Sequence, residues 1–256
     1  VRVARARARR RVVPPAPPAP EEAAGAPVET TPPPERPGVS LEEVKRDPEV
    51  AAYIEKANEY TGAIGYTEHG FRHANLTANI AYNILKRLGY DDRQAQLAAV
   101  AGYLHDIGNL VSRVNHEHTG AVLAGRILAR LGMAPDERAV VMGAIGNHEE
   151  PHGEPVSAVG AAVILSDKSD VHRTRVRNPD PTTFDIHDRV NYAVEHSFLR
   201  VDEKSRTITL ELVIDTESSP VMEYFEIFLT RMVMCRRAAE FLGCSFKLTI
   251  NGVKLL

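Results

Sequence analysis

From about residue 40 to about residue 173, apolar positions recur at helical spacing, and no Val/Ile-rich alternating stretch appears before residue 190. Ser40-Leu41-Glu42-Glu43 has the spacing of a capping box. Asp47-Pro48 predicts the cap and first turn of a helix through "PEVAAYIEKANEY". The next helix is predicted from about Thr67 to Leu88, with Gly89 as its stop. Asp91 or Asp92 caps "DRQAQLAAVAGYLHD", which ends near Gly108. "HEHTGAVLAGRILARLG" ends at Gly132, Pro135 opens "DERAVVMGAIGNH", and "VSAVGAAVILSDKSDVHR" is predicted to run to about Arg173. The period then changes. "NYAVEHSFLRVD" and "RTITLELVID" read as strands joined by the polar turn "EKS". "PVMEYFEIFLTRMVMCRRAAEFLG" reads as a long helix and "CSFKLTING" as a last strand. The expected architecture is mainly α, with a small C-terminal α+β unit of ββαβ order.

The opening 38 residues follow neither period. Arg alternates with Ala, and Pro then dominates. Such a segment cannot bury enough apolar surface to offset its ordering entropy. The expected organisation is a disordered Arg/Pro-rich tail over 1–38, a helical domain over 39–187 and the α+β unit over 188–256. An Arg-rich, acid-poor start also resembles a transit peptide and suits anionic surfaces; a solvated tail is the simpler reading.

Composition narrows the class. The chain has 256 residues, 43% hydrophobic and 25% charged, which suits a globular protein with a good-sized core. A net charge of −3 does not point to a general nucleic-acid binder. Cys235 and Cys244 fit neither a zinc motif nor a disulfide framework, so a reducing, cytoplasmic protein is expected. No apolar run reaches membrane-spanning length, so no membrane partner is expected.

The chemistry lies where buried helices stop. His105-Asp106 follows "AAVAGYL", and Asp167 follows "AAVIL". A carboxylate there must be paired or hold a metal, because burying it alone is costly. His73, His116 and His148 also fall at helix ends or on apolar faces. A shared cation best explains these six residues, and mixed His/carboxylate sites suit Fe, Mn, Co or Ni, with Mg or Zn as further options. His69, one turn before His73, is either a substrate contact or an exposed imidazole. Asp170, one turn after Asp167, is either a supporting partner or a surface charge.

In the order His, His-Asp, His, His, Asp the chain resembles the HD-domain metal-dependent phosphohydrolases, in the subgroup named for the tetrad HDIG. "FRHANLTANIA", "GYLHDIGN", "NHEHTGAVLAGRIL", "AIGNHEEPHG" and "AAVILSDKSD" carry the resemblance over about residues 65–178. It is similar to the HD domains of HD-GYP phosphodiesterases, RNase Y-type ribonucleases and HD-type diadenosine tetraphosphate hydrolases. The resemblance implies an HD-domain helical bundle binding one or two divalent transition ions, with Mn or Fe preferred. His73, His105, Asp106 and Asp167 would hold the first. His116 and His148 would serve a second or touch substrate. Asp106 would also touch the attacking water.

The chain departs from that pattern in two places. The tetrad usually continues with a phosphate-contacting Lys, here Asn109, which can still hydrogen-bond a phosphate; Lys168 could supply the missing cation or the acid for the leaving group. The GYP tripeptide is absent, which argues against cyclic di-GMP. Arg173 and Arg177, spaced for one helix face, are candidate phosphate contacts. The expected function is hydrolysis of a phosphoester or phosphoanhydride of a small, nucleotide-type substrate. RNA fits the acidic balance less well. The alternative is a catalytically weak HD domain serving as a metal- or nucleotide-binding signalling module. The α+β unit carries no catalytic motif and is expected to support a homodimer.

Overall fold

Helix starts lie where local capping puts them. The Ser40 hydroxyl accepts the Glu43 amide at 3.2 Å while Glu43 takes the Ser40 amide at 2.7 Å, completing a capping box for α1 (Leu41–Arg46). Asp47 accepts the amides of Glu49 and Val50 and starts α2 (Pro48–Ala63). α3 (Phe71–Arg87) follows, and Asp91 caps α4 (Asp92–Leu104). A 3-10 turn over Ile107–Leu110 leads into α5 (His116–Leu131), which stops at Gly132 with φ of 89°. α6 (Pro135–Gly146), α7 (Ala158–Lys168) and α8 (Ile186–Ala193) complete the helical part. β1 (Val194–Asp202), β2 (Thr207–Ile214), α9 (Val221–Phe241), β3 (Ser245–Ile250) and β4 (Val253–Lys254) follow. This computed structural model describes residues 38–150 and 152–256, so the expectation for the N-terminal tail lies outside the described residues apart from Gly38.

The architecture is mainly helical with a small C-terminal α+β part, as the residue pattern predicts. The sheet order is β1-β2-β3-β4. β1 pairs antiparallel with β2, α9 carries the chain over to a parallel β3, and β4 returns antiparallel. Ile208, Leu210, Leu212 and Ile214 alternate inward on β2, as do Phe246, Leu248 and Ile250 on β3. α9 packs against these two strands and against α7. The expected division at 187/188 falls inside α8, and residues 38–256 belong to one compact unit.

Three boundaries differ from expectation. α3 starts at Phe71 rather than Thr67, because Glu68 is held by Arg175: the Glu68 amide donates to the Arg175 carbonyl at 2.8 Å, and the Arg175 guanidinium donates back to the Glu68 carbonyl. α7 ends at Lys168 rather than near Arg173, because Asp170 turns inward to His73 at 2.6 Å. Asn191–Ala193 close α8 instead of opening β1; Asp185 caps that helix through the Asp188 amide at 2.8 Å.

α4 and α7 lie at the centre. Leu97 through Leu104 and Val159 through Lys168 are continuously buried. Their Ala and Gly residues let neighbouring helices come close; a Cβ on Gly102 would lie 3.2 Å from the backbone of Ala78. Gly108 is tighter still. A Cβ there would lie 1.9 Å from the His116 carbonyl oxygen and 2.5 Å from the Gly120 nitrogen. The absent side chain therefore lets the first turn of α5 press against the His105-Asp106 turn. Gly108→Ala is expected to cost about 3 kcal/mol of stability through overpacking. Denaturant unfolding checks this, and a midpoint equal to that of the unsubstituted protein would refute the close approach.

Candidate metal centre and adjoining cavity

Five segments deliver the site. α3 presents His73, the end of α4 presents His105 and Asp106, and the first turn of α5 presents His116. The loop after α6 carries His148, and α7 carries Asp167. All six side chains are buried.

Each imidazole is oriented through Nδ1. His73 Nδ1 lies 2.6 Å from Asp170 Oδ2, His105 Nδ1 2.7 Å from the Gly102 carbonyl, and His148 Nδ1 2.6 Å from the Ile145 carbonyl. His116 Nδ1 lies 3.1 Å from the Arg113 carbonyl. An Nδ1 proton satisfies each acceptor and turns Nε2 inward, where it can serve a metal once it gives up any proton of its own. Those nitrogens converge, with His73 and His105 Nε2 3.1 Å apart and His116 and His148 Nε2 3.2 Å apart. Two ring nitrogens facing each other at such distances need a proton or a metal ion between them. Nitrogens about 2.1 Å from one ion and at right angles would stand about 3.0 Å apart.

Asp106 joins the two pairs. Its Oδ2 is 3.3 Å from His105 Nε2 and 3.5 Å from His73 Nε2, while its Oδ1 is 3.3 Å from His116 Nε2. Asp106 Oδ2 is buried and has no hydrogen-bond partner among the described residues. Asp167 Oδ1 stands 3.3 Å from His73 Nε2 and 3.6 Å from His105 Nε2. His73, His105 and Asp167 can meet one ion, as can His105, Asp106 and His148, or His116, His148 and Glu149. The donor set therefore fits a divalent metal of mixed nitrogen and oxygen preference.

The electrostatics point the same way. Burial would raise the Asp106 carboxyl, but His105 and His69 outweigh it and hold the group well below the carboxylate range. Lys168 and His105 do the same for Asp167 against its burial. Burial opposes charge on His105, yet Asp106 and Asp167 override it and push the imidazole up to about 10. Burial, with His105 and His116 nearby, pushes His148 down to about 3, so it is a neutral donor. The carboxylates call for positive charge at the centre.

Lys168 lies behind Asp167. Its Nζ is 2.9 Å from Asp167 Oδ2, 2.8 Å from Glu149 Oε2 and 2.6 Å from Glu150 Oε2. Burial is outweighed by these carboxylates, which raise the ammonium above the ordinary lysine range. It keeps its proton and holds the outer oxygen of Asp167, leaving Oδ1 toward the histidines. Asn109 also faces the cluster's frame: its amide donates to Asp106 Oδ1 at 2.9 Å and to the Asp106 carbonyl at 3.0 Å.

Arg173 and Arg177 are not brought to the cluster. Arg173 pairs with Glu195 at 3.0 Å and packs over Tyr192, and Arg177 bonds Asn58. Helical spacing does not place them on one face, because α7 has already ended at Lys168. The arginine between them is the buried one, and it serves the frame: Arg175 donates to the Asp170 and Glu68 carbonyls. Asp170 supports His73 and is itself gripped by Arg72 at 2.6 Å.

A cavity of about 400 Å³ adjoins the cluster. His69, Arg113 and Glu149 connect it to the ligands, since His69 packs on His73 and Arg113 reaches His116 and Glu149; Tyr66, Phe228 and Arg231 also line it. Arg113 Nη2 is 2.6 Å from Glu149 Oε1, and its Nη1 lies 3.0 Å from His116 Nε2. Glu149 and Glu150 directly follow His148 in "NHEEPHG", a cue that sequence reasoning passed over. Arg231 gave no cue, since it is one of several charged residues on α9, with Glu223, Glu226, Arg236, Arg237 and Glu240.

The family model described as HD domain matches residues 70–214, a span that contains all six candidate ligands. The chain is 27% identical over 206 residues to "Uncharacterized protein MJ1020" of Methanocaldococcus jannaschii, covering 71% of this chain and 78% of that protein. A crystal structure of a predicted HD superfamily hydrolase from an uncultured Thermotogales bacterium aligns with a TM-score of 0.40 and 25% identity, over 51% of this chain and 73% of that one. Among the described residues, no helix is long and apolar enough to cross a membrane.

Asp170 fixes the His73 ring through Nδ1. Asp170→Asn is expected to weaken divalent-metal affinity about 10- to 100-fold. Competition with a chromogenic chelator reads this, and an unchanged affinity would count against the orienting role.

Proposed function

The chain belongs to the HD-domain family, and from that premise we propose that it is a metal-dependent phosphohydrolase acting on a phosphoester or phosphoanhydride of a nucleotide-type substrate. The observation that carries this reading is the convergence of four imidazole Nε2 atoms and two buried carboxylates beside a cavity. His73, His105, Asp106 and Asp167 would hold one ion, and His116 and His148, sharing Asp106, a second. Mn or Fe suits this donor set best. When bound, a divalent cation supplies Lewis acidity toward a phosphoryl oxygen and makes water a nucleophile near neutral pH.

The chain's own residues supply the rest. Asp106 directs one oxygen to each histidine pair and is steadied by the Asn109 amide. Lys168 keeps Asp167 ionised and oriented. Arg113, between His116 and Glu149, brings positive charge to the wall where a phosphoryl group would sit. Ile64, Tyr66 and Phe228 give the cavity apolar surface suited to a base or another organic group. One observation favours the signalling-module reading: the Asn109 amide is committed to Asp106, so no cation reaches the substrate from that position.

The protein supplied with Mn is expected to hydrolyse bis(p-nitrophenyl) phosphate or p-nitrophenyl phosphate, with activity falling to background in Asp106→Ala and on chelation. Metal retention without turnover of either ester would favour the binding module instead.

A further inference from the structure

Three guanidinium groups line the cavity, and they are not equivalent. Arg175 spends its nitrogens on the backbone carbonyls of Glu68 and Asp170. Arg113 directs Nη1 to His116 and Nη2 to Glu149. Arg231, from α9, is anchored differently. Its Nε donates to Glu150 Oε1 at 2.8 Å, and the guanidinium lies over the Phe228 ring at 4.4 Å. Neither Nη of Arg231 has a partner among the described residues. Its side chain is 21% exposed, so the group is sheltered yet reachable.

That arrangement is a held fork. Nε and the ring beneath fix the plane, and two Nη donors remain for an oxyanion, a geometry that guanidinium matches in bidentate fashion. The anchor also ties Arg231 to the centre, since Glu150 shares Lys168 with Asp167 and Glu149. We infer that Arg231 binds a phosphoryl group of the ligand, so that α9 of the α+β part completes the substrate site. This rests on the phosphohydrolase reading for the ligand's chemistry. It places the anion contact on a residue far along the chain from the metal ligands, and on neither Arg173 nor Arg177.

The test uses the protein supplied with Mn, with inorganic phosphate as the calorimetric probe and the two nitrophenyl esters for kinetics. Arg231→Met is expected to bind phosphate about 10- to 100-fold more weakly, the loss of charge-assisted bonds to a sheltered anion. It should raise KM for any ester turned over while Mn affinity stays unchanged. Arg231→Lys can keep the Glu150 pair but cannot present two Nη donors; it should keep the melting temperature and still lose phosphate affinity, which a purely structural role would not produce. This second variant carries the test if Arg231→Met fails to fold. Arg173→Ala should bind phosphate as the unsubstituted protein does. Phosphate affinity unmoved in Arg231→Lys and Arg231→Met, or no phosphate binding at all, would overturn the inference. Arg231-dependent phosphate binding without hydrolysis would uphold it and remove the enzymatic reading; hydrolysis with KM unmoved in Arg231→Met would do the reverse.

Discussion

Two carboxylates, Asp106 and Asp167, are buried at the C-terminal ends of the two most enclosed helices, and everything around them answers to that. A helix C-terminus carries negative dipole of its own, so a carboxylate there is doubly unfavourable until positive charge meets it. The structure meets it on both sides. Inward, four imidazoles oriented through Nδ1 by backbone and carboxylate acceptors turn Nε2 to the carboxylates and frame a place for a cation. Outward from Asp167 lies an alternating ladder in which Arg113, Glu149, Lys168, Glu150 and Arg231 each touch the next. Removing one rung would strand a buried charge, which is far costlier than losing an exposed pair.

The packing of the fold follows from this arrangement. Gly102 on α4 allows α3 to come close, and His73 of α3 reaches both carboxylates. Gly108 does the same for α5 and His116. The α+β part is not an appendage in this respect, since α9 lies on α7 and delivers Arg231 to the ladder.

Legibility in the residue pattern followed the range of the forces involved. Caps at Ser40, Asp47 and Asp91 depend on neighbours within a turn, and they were readable. The six His and Asp residues stood out because charge at the end of an apolar run has few explanations, and the structure brings all six together. The end of α7 was not readable. It depends on Asp170 meeting His73 and Arg72, which lie far back in the chain. The same distance hid Arg175 and Arg231, whose roles come from tertiary partners. Arg173 and Arg177 were misplaced by a helical spacing that the chain abandons at Lys168. The short α8 was obscured because it runs directly into β1.

The ladder has a consequence for the order in which the molecule is made. During synthesis, the six His and Asp residues emerge well before α9 does. Until Arg231 arrives, Glu150 lacks its second cationic partner, and the outer wall of the cavity is missing. The nascent chain therefore carries all six candidate ligands before it carries the guanidinium that pairs with Glu150. The finished site is a property of the whole described fold, from α3 through α9.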